Sequence, residues 1–364
     1  MTEPGKKKIL FLPKYPRKGA SSRLRTYQFL PLWSAQGVGY TVCPFFTDTY
    51  LNAIYANKKP SYLHVLGCYW RRLKILLSAG KYDLICIEKE LFPYLPAFPE
   101  WMLSRLKGYW VDYDDAVFHN YDRGKYSLVS RLMPKKIDRV MQWADLVTAG
   151  SAYLMQRAEA AGAKQVVQLP TVIDPKRYQK KVHEQKATLT IGWIGSPSTR
   201  KYLNALVPVW ERLHRKFDLV LLLINEKSKP PFPGNVQTIP WTEAGEAAAL
   251  LRLDVGIMPL PDDPWERGKC AYKLIQYMAC GLPVVASPVG MNAEVVRHGV
   301  NGFLAQSEDE WVDALSLLIH DCGLRKAMGE KGYQVVRERY TQQHNFSVMH
   351  RLLHIPENQK PENA

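Results

Sequence analysis

The sequence lacks any apolar run of the roughly 18–20 residues that a membrane-spanning helix needs. Its longest uninterrupted stretch, Leu219–Ile224, is the size of one strand. The start is polar from Met1 to Lys8, and the apolar run after it, Ile9–Leu12, is too short for a signal peptide. Cysteine is sparse: six residues (43, 68, 86, 270, 280 and 322) with no CxxC pair. That argues against a disulfide frame or a zinc site, and leads to the expectation of reduced core thiols in the cytoplasm. No short repeat, low-complexity tract or nucleic-acid-binding motif is present, so nucleic acid is not an expected partner. Acidic residues are scarce in one half only. Residues 1–187 carry 30 Lys and Arg against 15 Asp and Glu, whereas residues 188–364 carry 19 of each. The whole net charge of +15 therefore sits in the N-terminal half. Two readings fit: a solvated basic surface, or a face turned to something anionic, such as acidic lipid or a phosphate-bearing acceptor.

What is present alternates strand with helix. Lys8–Leu12, Gly39–Cys43, Asp83–Glu88, Tyr109–Tyr113 and Asp145–Ala149 read as strands, with a helix expected over Leu24–Gln36. After a charged, apolar-poor stretch, Pro175–Lys186, the pattern restarts. Its strands are Thr188–Ile194, Leu219–Ile224, Val236–Ile239, Val255–Met258 and Val284–Ala286. The helices between them include Tyr202–Phe217, Ala244–Arg252, Tyr272–Ala279 and Glu310–His320. The expected architecture is α/β, two doubly wound Rossmann-like domains with a hinge near 175–187 and a cleft between them. The expected boundaries are 1–180 and 187–335, with a helix and tail over 336–364 that can return to the first domain.

The densest stretch is Pro261–Gly302. A loop with Glu266, Arg267, Gly268 and Lys269 runs into a helix that ends at Gly281-Leu282-Pro283. A Gly-containing loop feeding a helix N-terminus makes an anion site, and Arg267, Lys269 and Lys273 reinforce it. The alternative is that these three cations decorate the surface.

The same stretch resembles the donor-binding signature of retaining GT-B glycosyltransferases of the family 4 type. Met278, Ala279, Gly281, Pro283, Val284, Val285, Glu294, Gly299, Gly302 and Phe303 fall at that family's spacing. Gly195, Ser196 and Lys201 resemble its diphosphate-holding segment, with Ser196 where Arg is usual. Ala144-Asp145 with Ser151, and Leu169–Asp174, resemble two further segments. The resemblance implies a GT-B fold, a nucleotide-sugar donor as co-substrate, no further cofactor, no metal, and transfer with retention. The implied donor-binding set is Gly195, Ser196, Lys201, Glu266, Arg267, Gly268, Lys269, Lys273, Gln276 and Glu294. Two positions depart from the pattern. Gly268 and Gln276 stand where the family has two Glu residues with seven residues between them, and Glu266 is a substitute for the first. Gln276 can still accept a hydrogen bond, more weakly than a carboxylate.

Tyr113-Asp114-Asp115 lies where the family commonly has His-Asp, with His119 four residues on. Asp114 or Asp115 is expected to orient the acceptor hydroxyl, with His119 as the replacement histidine. Asp112-Tyr113-Asp114 also reads as D-x-D, the metal-holding pattern of the other main glycosyltransferase architecture. In the first loop, Ser21, Ser22 and Arg23 suit a phosphate, or else form an exposed basic turn. Residues 62–77 mix aromatics and leucines with His64, Arg71, Arg72 and Lys74, the composition of an interfacial helix or of a core stripe. The function these readings favour is a cytoplasmic glycosyltransferase in cell-surface glycan assembly. Its acceptor would be a glycan or lipid-linked, with peripheral contact at the anionic inner face of a membrane. A GT-B-shaped nucleotide-sugar epimerase and a non-catalytic nucleotide-sugar binder are the rivals.

Overall fold

The computed structural model describes residues 7–56, 58–124, 127–195, 197–225 and 232–353. The chain divides into two compact units, Met1–Thr171 with Asn345–Ala364, and Val172–His344. The division falls earlier than a hinge at 175–187, because the polar stretch after Thr171 is tied into the second unit. Tyr178 donates to Glu246 (2.8 Å), Lys181 pairs with Asp254 (3.1 Å), and the Lys181 amide reaches the Cys280 carbonyl (2.8 Å). The second crossing falls later than residue 335: the helix Cys322–Arg339 stays in unit 2. From Asn345 the final helix, Gln342–Leu352, joins unit 1. There Phe346 packs edge-on against the buried Trp33 ring at 4.6 Å.

The first unit is a parallel six-stranded sheet. Its strands are β1 (Lys8–Leu12), β2 (Gly39–Val42), β3 (Leu84–Glu88), β4 (Trp110–Tyr113), β5 (Leu146–Ala149) and β6 (Val166–Gln168). They lie in the order β2-β1-β3-β4-β5-β6. The second unit repeats the plan with β7 (Leu189–Ile194), β8 (Leu219–Ile224), β9 (Asn235–Ile239), β10 (Val255–Met258), β11 (Val284–Ala286) and β12 (Gly302–Leu304). Its order is β12-β11-β10-β7-β8-β9. Strands covered by helices on both faces read as unbroken apolar runs. β8, Leu-Val-Leu-Leu-Leu-Ile, is buried at all six positions.

In each sheet the chain winds outward one way and then returns to start beside the first strand. The switch lies between β1 and β3 in one unit and between β7 and β10 in the other. Ligands of open α/β sheets bind outside the carboxyl ends of the strands at such points.

Two expected helices are broken. Leu24–Gln36 resolves into the helix Ala20–Arg25, a 3-10 turn Tyr27–Phe29 and a second helix Leu30–Ala35. Tyr202–Phe217 becomes a 3-10 stretch Pro197–Leu206 followed by the helix Val207–His214. Pro31 and Pro208 lack the amide needed to continue a helix and sit instead in the first turn of a new one. No described helix is long and apolar enough to cross a membrane. The six cysteines are free, four of them buried.

Candidate functional site

In unit 2 the switch between β7 and β10 is closed from beneath by Tyr277. Its hydroxyl accepts from the Ile194 amide (2.9 Å) and donates to the Ile257 carbonyl (3.3 Å). Gly256 leaves room for that ring, since a Cβ there would lie 2.4 Å from it. The helix carrying Tyr277, Tyr272–Ala279, starts from Ala271 in a left-handed conformation (φ 49°). Left-handed backbone at a non-glycine costs about 1–3 kcal/mol and collects at functional sites.

One residue into this helix, Lys273 lays its Nζ over the Trp193 ring at 4.4 Å, with Thr199 Oγ1 at 3.5 Å. No carboxylate among the described residues pairs with it. Burial pushes its ammonium down to about 7, and Lys269 adds to the shift. Gly195 borders the same indole, where a Cβ would come within 2.1 Å of Trp193. The 3-10 stretch after β7 supplies two more contacts. Tyr202 donates to the buried Glu266 carboxylate. Lys201, exposed, lies 5.1 Å from the Tyr202 ring centroid. Gly195, Lys201, Glu266 and Lys273 are thus brought together around Trp193, Thr199 and Tyr202. Those three were not singled out in the sequence, where an aromatic in an apolar strand reads as core.

Other members of the expected set fall elsewhere. Arg267 is gripped by Asp262 through Nε (2.6 Å) and Nη2 (2.9 Å), so it does not stand with Lys273 as an uncompensated cation. Gly268 ends the short helix Pro264–Arg267, and Lys269 is half-buried beside it. Gln276 is buried and donates to the Tyr178 hydroxyl (3.1 Å), which also bonds Glu246. Its amide is therefore committed to a buried polar cluster. Glu294 is exposed on the helix Met291–Val295. That helix opens at Gly290 (φ 51°), where a Cβ would meet the Arg267 carbonyl at 2.4 Å. Ser196 lies outside the described residues.

The acidic cluster of unit 1 sits at the switch between β1 and β3, where it is held by basic side chains. Arg25 grips Asp112 through Nε (2.8 Å) and Nη2 (2.5 Å), and Thr148 donates to the same carboxylate. Lys89, absent from the sequence reading, pairs with Asp114 at 2.9 Å and Asp115 at 3.4 Å. It does so from a left-handed backbone (φ 69°), a conformation its residue type does not announce. Burial pushes the Asp114 carboxyl up, but Lys89 and Arg25 outweigh it and hold it below the usual range. The D-x-D carboxylates are therefore neutralised by the protein's own cations.

Ser21 donates within a pocket formed by Glu88 (3.1 Å) and Asp114 (2.5 Å), and Ser22 is buried, accepting from the Tyr15 amide (2.9 Å). With two carboxylates at hand, these hydroxyls do not form a phosphate cradle. Arg23 is buried beside them. His119 spends both ring nitrogens, on Asp122 (2.8 Å) and Tyr153 (2.9 Å), and makes no contact with the Lys89–Asp114 network.

Residues 188–321 match a family model described as glycosyl transferases group 1. Over 69 residues the chain is 35% identical to the N-acetyl-alpha-D-glucosaminyl L-malate synthase of Bacillus anthracis. That match covers 18% of this chain and 18% of the relative's length. Among solved structures, sucrose-phosphate synthase from Thermosynechococcus elongatus superposes with a TM-score of 0.70 at 16% identity, covering 95% of this chain and 98% of that one. HepE of Anabaena, in complex with UDP and glucose, gives 0.66 at 15% identity, with 95% and 99% covered. WaaG, a glycosyltransferase involved in lipopolysaccharide biosynthesis, gives 0.65 at 12%, with 94% and 98% covered.

Two variants test the geometry. An unfolded lysine keeps its proton to about pH 10.4. Between about 7 and that value the unfolded chain therefore binds more protons at Lys273 than the folded one. Its contribution to stability rises with pH across this window and is most unfavourable below it. Lys273→Met should thus be more stable than the parent at pH 6. It should also lose about ten- to a hundredfold in affinity for a nucleoside diphosphate, the value of a charge-assisted contact of roughly 1.5–3 kcal/mol. Urea titration and calorimetry read the two effects, and lower stability with unchanged affinity contradicts the assignment. Lys89→Met should cost about 3–5 kcal/mol at pH 7, because it strands buried carboxylates. The loss should shrink at pH 4 as they protonate, and an equal loss at both pH values argues against the ion pairs. Over residues 188–321 the chain is thus similar to the glycosyl transferases group 1, and its two doubly wound units share the GT-B fold of the solved glycosyltransferases on which it superposes.

Proposed function

We propose that the protein is a glycosyltransferase that moves a sugar from a nucleotide-sugar donor to an acceptor hydroxyl with retention of configuration. The observation that carries this reading is Lys273, a half-buried ammonium on an indole at the β7/β10 switch with no carboxylate partner among the described residues. A buried cation is costly unless something anionic meets it, and the leaving diphosphate is that anion. Lys201 and Lys269 stand in the same region without carboxylate partners among the described residues, and the three would share the charge that develops on the leaving group. Gly195 lets the donor's phosphates approach β7, and Glu266, oriented by Tyr202, faces the sugar. Because HepE is described with UDP and glucose, a UDP-hexose is the first donor to try.

Asp115, the most exposed member of the unit 1 cluster, is the residue proposed to orient the acceptor hydroxyl, with Asp114 held behind it by Lys89. The acceptor is proposed to be a glycan, free or lipid-linked, in cell-surface polysaccharide or lipopolysaccharide assembly on the cytoplasmic side of a membrane. WaaG's part in lipopolysaccharide biosynthesis and the basic N-terminal half support that setting. Metal independence is part of the proposal, since side-chain cations are available to the diphosphate and the D-x-D carboxylates are already paired. Gln276 supports a second reading, a nucleotide-sugar binder without turnover, because its amide is tied to Tyr178 rather than left for a ribose.

The test is turnover of UDP-glucose and related UDP-hexoses with a lipid-linked glycan acceptor, in buffer containing excess EDTA. Product with the donor's anomeric configuration is expected. Activity that EDTA abolishes and magnesium restores overturns the metal-independent mechanism, and tight donor binding with no product favours the binder.

A further inference from the structure

The helices Tyr62–Leu76 and Phe98–Leu106 of unit 1 turn a large apolar face outward. On the first, Tyr62, Leu63, Leu66, Trp70 and Leu73 are exposed, and Leu77 just beyond its end continues the stripe. Their spacing of three to four residues keeps them on one side of the helix. The opposite side is anchored inward by Cys68 and Arg72. Arg72 is 1% exposed, donates to the Pro13 carbonyl (3.0 Å) and lies 5.5 Å from the Phe45 ring centroid. Arg71 and His64 are likewise engaged within the unit, with the Pro44 and Phe45 carbonyls and with Thr47. The composition of residues 62–77 therefore divides: its arginines hold the helix down and its aromatics face out.

The second helix repeats the arrangement with Phe98, Trp101, Met102 and Leu106, the last 79% exposed. Right-handed crossovers from β2 to β3 and from β3 to β4 run in the same direction across the sheet and put both helices on one face. Lys107 reaches the Gly80 carbonyl at 3.4 Å, which joins their C-terminal ends.

The exposed charge on and beside these two helices is mostly positive. Lys58, Lys59, Lys74, Lys81, Arg105 and Lys107 are exposed. Between residues 50 and 107 the acids are Asp83, Glu88, Glu90 and Glu100, of which only Asp83 is exposed. Asp83 accepts from the Lys8 amide at 2.7 Å. Neither helix presents an exposed carboxylate. Aromatic and leucine side chains rimmed by lysine match the boundary between headgroups and acyl chains.

We infer that this face docks on an anionic lipid surface. Leu63, Leu66, Trp70 and Leu106 enter the acyl boundary while Lys58, Lys59, Lys74 and Arg105 sit among the phosphates. The inference draws its purpose from the proposed work on a lipid-linked glycan. Its test uses neither donor nor acceptor, so each reading can fail without the other.

The full chain is sedimented with phosphatidylcholine vesicles prepared with and without phosphatidylglycerol, at low and high salt. Two variants accompany it: Lys58→Glu/Lys59→Glu/Lys74→Glu/Arg105→Glu, and Leu66→Ser/Trp70→Ser/Leu106→Ser. All seven positions are exposed, so both variants should keep the parent's circular dichroism and melting temperature. Binding is expected only to the anionic vesicles and should be released by salt, whose screening length is about 10 Å at 0.1 M. Each variant should bind at least about tenfold more weakly, since every basic residue near the surface and every buried apolar side chain adds to adsorption. Equal partitioning onto both vesicle types, or folded variants that bind like the parent, overturns the inference. So does a dimer of the parent that the serine variant abolishes, which would assign the face to a second copy of the chain.

Discussion

A lysine ammonium resting on an indole, with burial working against its charge and no carboxylate among the described residues to support it, is the interaction from which the rest of unit 2 takes its meaning. Lys273 is held there by the helix Tyr272–Ala279, which is itself placed by Tyr277 spanning β7 and β10. Glycines at 195, 256 and 290 keep the backbone close where a single Cβ would collide with Trp193, Tyr277 or the Arg267 carbonyl. The left-handed Ala271 at the head of the helix adds local strain. A fold that tolerates a desolvated cation, a strained cap and three close approaches in one place leaves an electrostatic demand that the proposed diphosphate would meet.

The contrast with unit 1 sharpens the point. At its own switch three buried cations are internally matched: Arg25 with Asp112, Lys89 with Asp114 and Asp115, and Lys136 with Glu90. Such a network holds carboxylates at fixed positions and charges without calling for an ionic ligand. In the proposed reaction the acceptor hydroxyl would meet an oriented carboxylate, Asp115, with the paired charges behind it. The two halves share a topology, and these three buried ion pairs of unit 1 have no counterpart at Lys273 among the described residues.

Much of the fold was legible because parallel strands buried on both faces advertise themselves as apolar runs. β8, β10 and β11 have the expected bounds, and the helix Tyr272–Ala279 is where its flanking loop and Gly281 put it. β6 and β12 escaped notice because three residues, Val-Val-Gln and Gly-Phe-Leu, carry no periodicity. Pro31 and Pro208 were read through, although each marks a restart. At the candidate site, Lys273 was named from the loop–helix pattern and Gly195 from the family spacing, whereas Glu266 was named only as a neighbour of the departing position Gly268. Trp193 and Tyr202 were not, since their part depends on which strand lies beneath the helix. Lys89 could not be found from residue type, for its position follows from a backbone conformation. His119 was named for its distance in sequence from Asp115, and its helix turns it instead to Asp122 and Tyr153.

The most direct test is a nitrogen-detected NMR titration of the Lys273 side chain, assigned by comparison with Lys273→Arg, in the free protein and with saturating UDP. An ammonium that loses its proton near pH 7 when free, and keeps it beyond pH 9 with the diphosphate bound, is the predicted result. A Lys273 that titrates near the ordinary lysine value of about 10.4 in both states would contradict the account.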